Sequence, residues 1–397
     1  MEKLLIVGGG MAAGSLISNL VKNGYQGKVT LLSEEAYLPY QRPPLSKSYI
    51  TDEKRPENIL IKKESFYEDN NVTVQLETVV TSIDPIRAEV DTNRGQTFQY
   101  DKLVIATGST LRKLSVDGCD MPGVCYLRGA SCADAIKERL LKARDVVIIG
   151  GGFIGLEFAG TAIKNGSNVT VIDSGERLLS RVISDEIASY IQKEFERQGV
   201  TFLLSNTIKS FGGQRRVEYI SCEPGGEVKA DLVVVGIGAE PADQLAASAK
   251  IRCQNGIVVD SYCETSQPNI YALGDCVSQF NIPSQKWMRL ESVHNALEQA
   301  KTVSSVLCGK PAAQQTNPWF WSDQLDMKIK IVGASTSFKQ FYLHGAADGS
   351  GFSHVYIDEG KIVSVHCVND QKTFLKARKL LELGPVSEER LKELIEG

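Results

Sequence analysis

The stretch from Val146 to Asp173, VVIIGGGFIGLEFAGTAIKNGSNVTVID, leaves few folds open. Residues 146–149 read as a buried strand, and Gly150, Gly152 and Gly155 follow at G-x-G-x-x-G spacing. The pattern predicts a helix over 157–164, ended by Asn165-Gly166, and a second strand over 169–172 that delivers Asp173. Strand, glycine turn, helix, strand and acid in that order define a dinucleotide-binding unit. Gly150 permits the tight turn, Gly152 lets backbone amides reach a pyrophosphate, and Gly155 lets helix and strand pack closely. The helix N-terminus adds partial positive charge, and Asp173 can accept hydrogen bonds from a ribose. Phe153 and Ile154, which lie inside the G-x-G-x-x-G motif, are counted with it as candidate NAD-binding residues.

A second unit lies upstream. Residues 4–7 read as a strand, followed by Gly8, Gly10 and Ala13 at G-x-G-x-x-A spacing, with Ala12 inside the turn. A helix over 16–21 stops at Asn23-Gly24, and a strand over 29–32 ends just before Glu34 and Glu35, both within reach of a ribose. Gly8 precedes Gly150 by 142 positions, which makes the pair an internal repeat. One enzyme needs two dinucleotide sites when one dinucleotide reduces the other. NADH or NADPH with FAD is the natural pair, because both carry an adenosine pyrophosphate and their reactive rings can stack. Asp173 favours NADH, since a carboxylate accepts from a free 2′-hydroxyl and repels a 2′-phosphate, although Arg177 and Arg181 lie close by in sequence.

Composition narrows the setting. At 397 residues the chain is long enough for two or three domains, and 42% hydrophobic with 23% charged residues suits a packed protein. A net charge of −4 argues against nucleic acid as the main partner. No run of 18 apolar residues exists, so no membrane span is expected, and the apolar N-terminus explains itself as a strand and phosphate turn rather than a signal peptide. The nine cysteines form no C-x-x-C and no Cys/His cluster with metal spacing, which points to reduced, packed thiols of a cytoplasmic protein and to no metal site.

The paired Pro43 and Pro44 in Tyr37–Lys47 (YLPYQRPPLSK) suggest an extended loop, with Arg42 placed for phosphate and Lys47 for a flavin edge. Thr107 and Gly108 form a tight turn after the strand DKLVIA, and DLVVVGIGAEP at 231–241, with Gly238, echoes it. In GIVVDSYCETSQPNIYALGD, Asp275 follows a strand and can accept from ribityl hydroxyls. Val293 opens a helix whose N-terminal amides suit the pyrimidine end of a flavin.

The segments LPYQRPPLSK at 38–47, SVHNALEQA at 292–300 and PWFWSDQ at 318–324 carry a specific resemblance. Across essentially its whole length the chain resembles the FAD-dependent NADH:ferredoxin reductases of bacterial oxygenase systems, the putidaredoxin reductase and rubredoxin reductase type. That resemblance implies an α/β fold of two Rossmann-like dinucleotide-binding domains, as in glutathione reductase, plus a C-terminal α+β domain. It implies an FAD domain at 1–111 and 241–318, an NAD domain at 112–240 and a C-terminal domain at 319–397. Strands are expected over 329–332, 351–357 and 361–368, then two helices flanking Pro385. By the same resemblance Val80 and Arg128 approach FAD, Glu157 and Glu291 approach the nicotinamide, and Trp321 packs beside the flavin, whereas Trp319 reads as core and His294 as structural. Lys47, Glu157 and Trp321 are then redox-site residues.

Glutathione-reductase-type enzymes carry a cysteine pair early in the FAD domain. Residues 1–118 of this chain contain no cysteine, so a flavin–thiol relay is excluded by composition. The remaining route takes hydride from NADH to FAD and then passes single electrons to a [2Fe-2S] ferredoxin, or to rubredoxin, by a monomer or homodimer. An acidic carrier would want a basic patch, for which Lys286, Arg289, Lys301, Lys310 and Lys328 are the candidates. Two other readings stay open: an NADH oxidase making hydrogen peroxide, and an NADH-sensing flavoprotein like apoptosis-inducing factor.

Overall fold

The repeat seen in the glycines is built into two matching sheets. The computed structural model describes residues 1–52, 55–180, 182–282, 285–312, 315–333, 340–346 and 351–395. The first unit is β1 (Lys3–Val7), α1 (Met11–Asn23) and β2 (Lys28–Leu32). The second is β3 (Asp145–Ile149), α2 (Phe153–Lys164) and β4 (Asn168–Ile172). β1 is central in a parallel sheet ordered 270–272, 102–105, β1, β2, 72–75. β3 is central in a sheet ordered 201–203, β4, β3, 232–235, 124–126. Register agrees as well, with Val7 opposite Leu32 and Ile149 opposite Ile172. Every residue of 4–7 and 146–149 is buried, as expected of strands covered on both faces.

The repeat runs further than the glycine motifs. Each unit continues into a three-stranded antiparallel sheet, 80–84 with 89–92 and 97–99 in one copy, 207–212 with 219–223 and 226–229 in the other. Each then returns to its central sheet, by 102–105 and by 232–235. The two returns leave through strands 109–111 and 239–241, which pair antiparallel, Ser109 opposite Pro241 and Leu111 opposite Ala239. The echo between DKLVIATG and DLVVVGIGAEP thus becomes a two-stranded ribbon between the two sheets.

Both helices start earlier than their apolar periodicity suggests. α2 begins at Phe153, four residues before Glu157, because Gly152 itself is the N-cap; Gly10 caps α1 in the same way. α3 (Val293–Leu307) is capped by Ser292, whose hydroxyl accepts from the Asn295 amide at 3.1 Å, and packs along α1 over a shared core of Leu16, Ile17, Ala300 and Val303. The proline loop differs from its expectation. Pro43–Ser46 forms a 3-10 turn, with Lys47 N donating to Pro44 O at 3.0 Å, and a short helix follows at Ser48–Thr51. A proline at the first helical position has its φ already set and lacks only an N–H that would be unpaired there.

The C-terminal part is an antiparallel sheet ordered 319–324, 327–332, 361–368, 351–358, 340–346, with helix Gln371–Leu380 against it. Its strand β5 (Trp319–Gln324) faces α2. Met327, Ile329, Ile331 and Phe352 join Phe158, Ala159, Ile187 and Ile191 in one core, so this sheet is packed onto the second unit. Among the described residues no helix is long and apolar enough to cross a membrane.

Candidate functional site

The two glycine turns are superposable in their chemistry. Gly8 has φ +109° and Gly150 φ +107°, and a Cβ on either would fall 2.3 Å from Ala106 O or 2.4 Å from Gly236 O. Only glycine satisfies both the left-handed backbone and the close strand approach. Gly155 carries a third constraint, since its Cβ would lie 2.2 Å from Gly150 O. Gly10 and Gly152 face open space instead. Neither α1 nor α2 has a side-chain cap or an acid in its first turn, so the leading N–H groups are left for a ligand.

Around α1 four segments converge. Ala12 Cβ would lie 3.1 Å from a Cβ on Gly274, which brings the Gly274-Asp275 turn beside Ala12 and Ala13. Asp275 accepts one long hydrogen bond, 3.4 Å from Ser109 Oγ. Burial lifts its carboxyl above the ordinary range, against the pull of Arg128 and Arg42. Arg128 lies over Gly108, 3.0 Å from the position of its Cβ, and its guanidinium makes no hydrogen bond with a described residue. Burial and the neighbouring Arg42 push that guanidinium below its usual range. Arg42 is held differently from the sequence expectation: it pairs with Glu35 and donates to Arg128 O at 2.8 Å. Arg128 is therefore the better placed of the two for an anion. The Thr107 hydroxyl donates to Ala242 O at 2.6 Å, which ties the turn to the returning chain.

The β2 end places Glu34 one residue beyond the position equivalent to Asp173. Ser33, not Glu34, occupies the register position of Asp173, and its hydroxyl lies 2.2 Å from where a Gly9 Cβ would be. Glu34, one residue on, is exposed, while Glu35 also accepts from the Tyr40 hydroxyl. Val80 begins the adjoining antiparallel sheet opposite Thr92; its neighbouring loop is held to the same corner by Thr78 N on Ser33 O at 2.8 Å.

In the second cradle the Asp173 carboxylate accepts from Gly151 N at 2.6 Å and from Gly175 N at 2.7 Å. Arg177 is turned away: it pairs with Asp185 at 2.7 Å and donates to Ile183 O at 2.8 Å. Arg181 lies outside the described residues. Gly238 follows strand 232–235 with φ +104° at the start of the ribbon, and its carbonyl accepts from Arg112 N.

The cradles meet at Glu157. This carboxylate is 7% exposed, yet it accepts from Ser46 Oγ at 2.7 Å and Ser322 Oγ at 2.6 Å and lies 3.0 Å from Lys47 Nζ. A buried carboxylate is tolerated only with such partners. Lys47 also contacts Asp323 at 3.0 Å. Ser46 and Lys47 come from the proline turn, Glu157 from α2, and Ser322 and Asp323 from β5, so three regions of the chain are joined by one carboxylate. Gln324 extends the set, donating to Ser322 Oγ at 2.8 Å and to Phe153 O at 3.1 Å. Ser46, Ser322, Asp323 and Gln324 were not singled out in the sequence. The signal lay in the S and S-D-Q that follow PPL and WFW, but serines acquire meaning only through their partner.

Trp321 is half-buried, with its ring 5.5 Å from Trp319. Trp319 packs against Phe374 and His294, as expected of core. Burial lowers His294 to about 4, so its ring is neutral at pH 7, consistent with a structural role. Val293 is the first residue of α3, and Glu291, just before it, is paired with Arg289. The expected basic patch is dispersed. Lys301 pairs with Glu298 and Lys310 bonds Asn23 at the far end of α3, with Lys328 on another sheet.

Residues 2–300 match the pyridine nucleotide-disulphide oxidoreductase family and residues 319–392 match the reductase C-terminal family. The chain belongs to the pyridine nucleotide-disulphide oxidoreductases. It is 40% identical over 332 residues to a rubredoxin-NAD(+) reductase of Pseudomonas putida, covering 83% of this chain and 86% of that one. It is 36% identical to a ferredoxin–NAD(P)(+) reductase of a Sphingomonas species, over 96% and 92% of the two chains. The reductase in a solved covalent putidaredoxin reductase–putidaredoxin complex superposes with a TM-score of 0.94 at 33% identity, over 98% of this chain and 95% of that one.

Proposed function

We propose that the protein is an FAD-dependent NADH:ferredoxin oxidoreductase, passing electrons singly to a [2Fe-2S] ferredoxin, or to rubredoxin, that feeds an oxygenase in the cytoplasm. The observation that carries this reading is the meeting of two equivalent dinucleotide cradles at Glu157 and Lys47 with no thiol between them. The relatives named for ferredoxin, rubredoxin and putidaredoxin support the carrier class. Residues 1–111 and 241–318 form the FAD domain on this reading, 112–240 the NAD domain and 319–397 the C-terminal domain.

The first cradle fits FAD. The uncapped α1 N-terminus with Gly8, Gly10, Ala12 and Ala13, and Arg128, whose guanidinium bonds no described residue and which lies beside Arg42 and Gly108, suit a pyrophosphate. Asp275, with one long hydrogen bond, has acceptor capacity left for hydroxyls of a ribityl chain. Glu34 would take the adenosine ribose, the Val80 backbone the adenine, and the α3 N-terminus at Val293 the far end of the flavin. Bound FAD would supply two-electron acceptance and one-electron release. The second cradle would hold NADH through the Gly152, Phe153 and Ile154 amides, Asp173 and Gly238, with Glu291 near the nicotinamide.

The chain's own residues position and seal. Glu157, fixed by two hydroxyls and Lys47, keeps one geometry between the cradles. Trp321 walls the side facing the carrier. Cys276, next to Asp275, is fully buried, and burial pushes its thiol above the ordinary range, so it offers no thiolate. The test is coupled cytochrome c reduction. NADH should bleach the flavin anaerobically, and cytochrome c reduction should then require added [2Fe-2S] ferredoxin. Equal reduction without ferredoxin would contradict the reading.

A further inference from the structure

In the proposed reaction, NADH and two oxidised carriers yield NAD+, two reduced carriers and one proton, and the route of that proton rests on the proposed function. The proton has to reach water from beside the Glu157 carboxylate, whose side chain is 6% exposed. Side-chain exposure rises along one contact chain, from 6% at Glu157 to 24% at Lys47 and 48% at Asp323, with Lys47 Nζ 3.0 Å from a carboxylate oxygen on either side. Ser46 and Ser322 hold both oxygens of Glu157, so the inner carboxylate cannot rotate away from the ammonium. Among the described residues, Glu157 from α2 and Asp323 from β5 are the charged groups that contact Lys47, and Lys47 is the one that contacts Glu157. An exposed ion pair adds about 0–1 kcal/mol of stability, so stability alone gives little reason for a second carboxylate on this ammonium.

We propose that Glu157, Lys47 and Asp323 form the proton exit of this enzyme, with Asp323 as its outer terminus. The Asp323 carboxylate takes a proton from the Lys47 ammonium and hands it to water. The Lys47 amine then takes the proton left in the site, directly or from Glu157, and is again an ammonium. One N–H bond breaks and one forms at Lys47, one O–H bond forms and breaks at Asp323, and no electron moves. Asp323 acts through Lys47 and is a positioning residue in that sense.

The test compares wild type, Asp323→Asn and Asp323→Glu. Steady-state turnover is measured with NADH and ferricyanide, a one-electron acceptor that needs no protein docking, in H2O and D2O, while an indicator dye follows acid release. Asp323→Asn should lower kcat by about tenfold or more with little change in KM for NADH, delay acid release and raise the solvent isotope effect. Asp323→Glu should restore most of the loss. Independently of turnover, the carboxylate stretch of Asp323 in the resting holoprotein, assigned by its loss in Asp323→Asn, should shift in Lys47→Met. The exit is overturned if kcat and the isotope effect of Asp323→Asn stay within twofold of wild type. It is also overturned if the loss appears with ferredoxin but not with ferricyanide, or if the infrared band does not move. A wild-type protein that oxidises no NADH would overturn the functional reading and the exit with it.

Discussion

The Asp173 carboxylate clamps Gly151 and Gly175 by their amides, and on the proposed reading its remaining lone pairs take a ribose. With Arg177 engaged by Asp185, no described guanidinium beside it stands ready for a 2′-phosphate. Asp173→Ala combined with Ser174→Arg should therefore raise the NADPH to NADH ratio of kcat/KM by about tenfold or more, equivalent to about 1.4 kcal/mol, read from steady-state kinetics with both nucleotides. An unchanged ratio would place ribose recognition elsewhere. A second residue sets an acid limit on stability. Burial lowers His366 to about 3, and the neighbouring His354 adds to it. The unfolded chain, with an ordinary histidine near 6.5, takes up a proton in the window from about 6.5 down to about 3 that the native state refuses. Stability is thus fully present above 6.5 and falls as pH drops, by up to about 1.4 kcal/mol per pH unit. Urea unfolding should show a loss of about 2–3 kcal/mol between pH 6.5 and 4.5, and His366→Leu should flatten that limb.

β5 shows how much an element can add to a site it does not appear to own. Ser322 and Gln324 point toward α2, while Trp319, Trp321 and Asp323 alternate to the other face. Ser322→Ala removes one of two hydroxyl donors from a buried carboxylate and should cost about 1–3 kcal/mol in urea unfolding, with a raised KM for NADH because Gln324 loses its link between Ser322 and the start of α2. Unchanged stability and KM would show that the contact is dispensable. The glycine cradles were legible from the chain because φ and close approach demand glycine at Gly8, Gly150 and Gly155 whatever the context. The Glu157 cluster was half legible. Lys47 came from the charged proline loop and Glu157 and Trp321 through resemblance, while Ser46, Ser322 and Asp323, separated by up to 277 positions, are defined only by the packing of β5 on α2. The strand reading of 72–83 reaches the first antiparallel sheet at 80–84, but the pairing of these sheets was not legible because short strands such as 97–99 and 226–229 carry too little periodicity to separate from loops.

At the scale of the whole molecule, one unit occurs twice with the same strand order, and on the proposed reading each copy holds one half of an electron transfer. The copies keep the glycine geometry, the strand order and the inserted antiparallel sheet. They differ at the acid, Asp173 in one and Ser33-Glu34 in the other, and in what covers them: α3 lies over the first and the C-terminal sheet over the second. Because Arg289, Lys301, Lys310 and Lys328 are dispersed, they should not contribute equally to docking. Charge reversal at Lys310, at the far end of α3, should leave ferredoxin turnover and its salt dependence unchanged. The same change at Lys328, which lies opposite Asp323 on the strand paired with β5, should weaken both. Equal effects at the two sites would contradict this arrangement. On the proposed function, electrons entering from NADH leave singly to a protein carrier rather than to oxygen. Stopped-flow spectrophotometry tests it directly: the protein is reduced anaerobically with one equivalent of NADH, then mixed with a [2Fe-2S] ferredoxin, with rubredoxin or with air-saturated buffer. Reoxidation by one of the carriers should be at least about a hundredfold faster than by oxygen, a difference of roughly 2.7 kcal/mol in barrier. Reoxidation by oxygen as fast as by every carrier tried would contradict it.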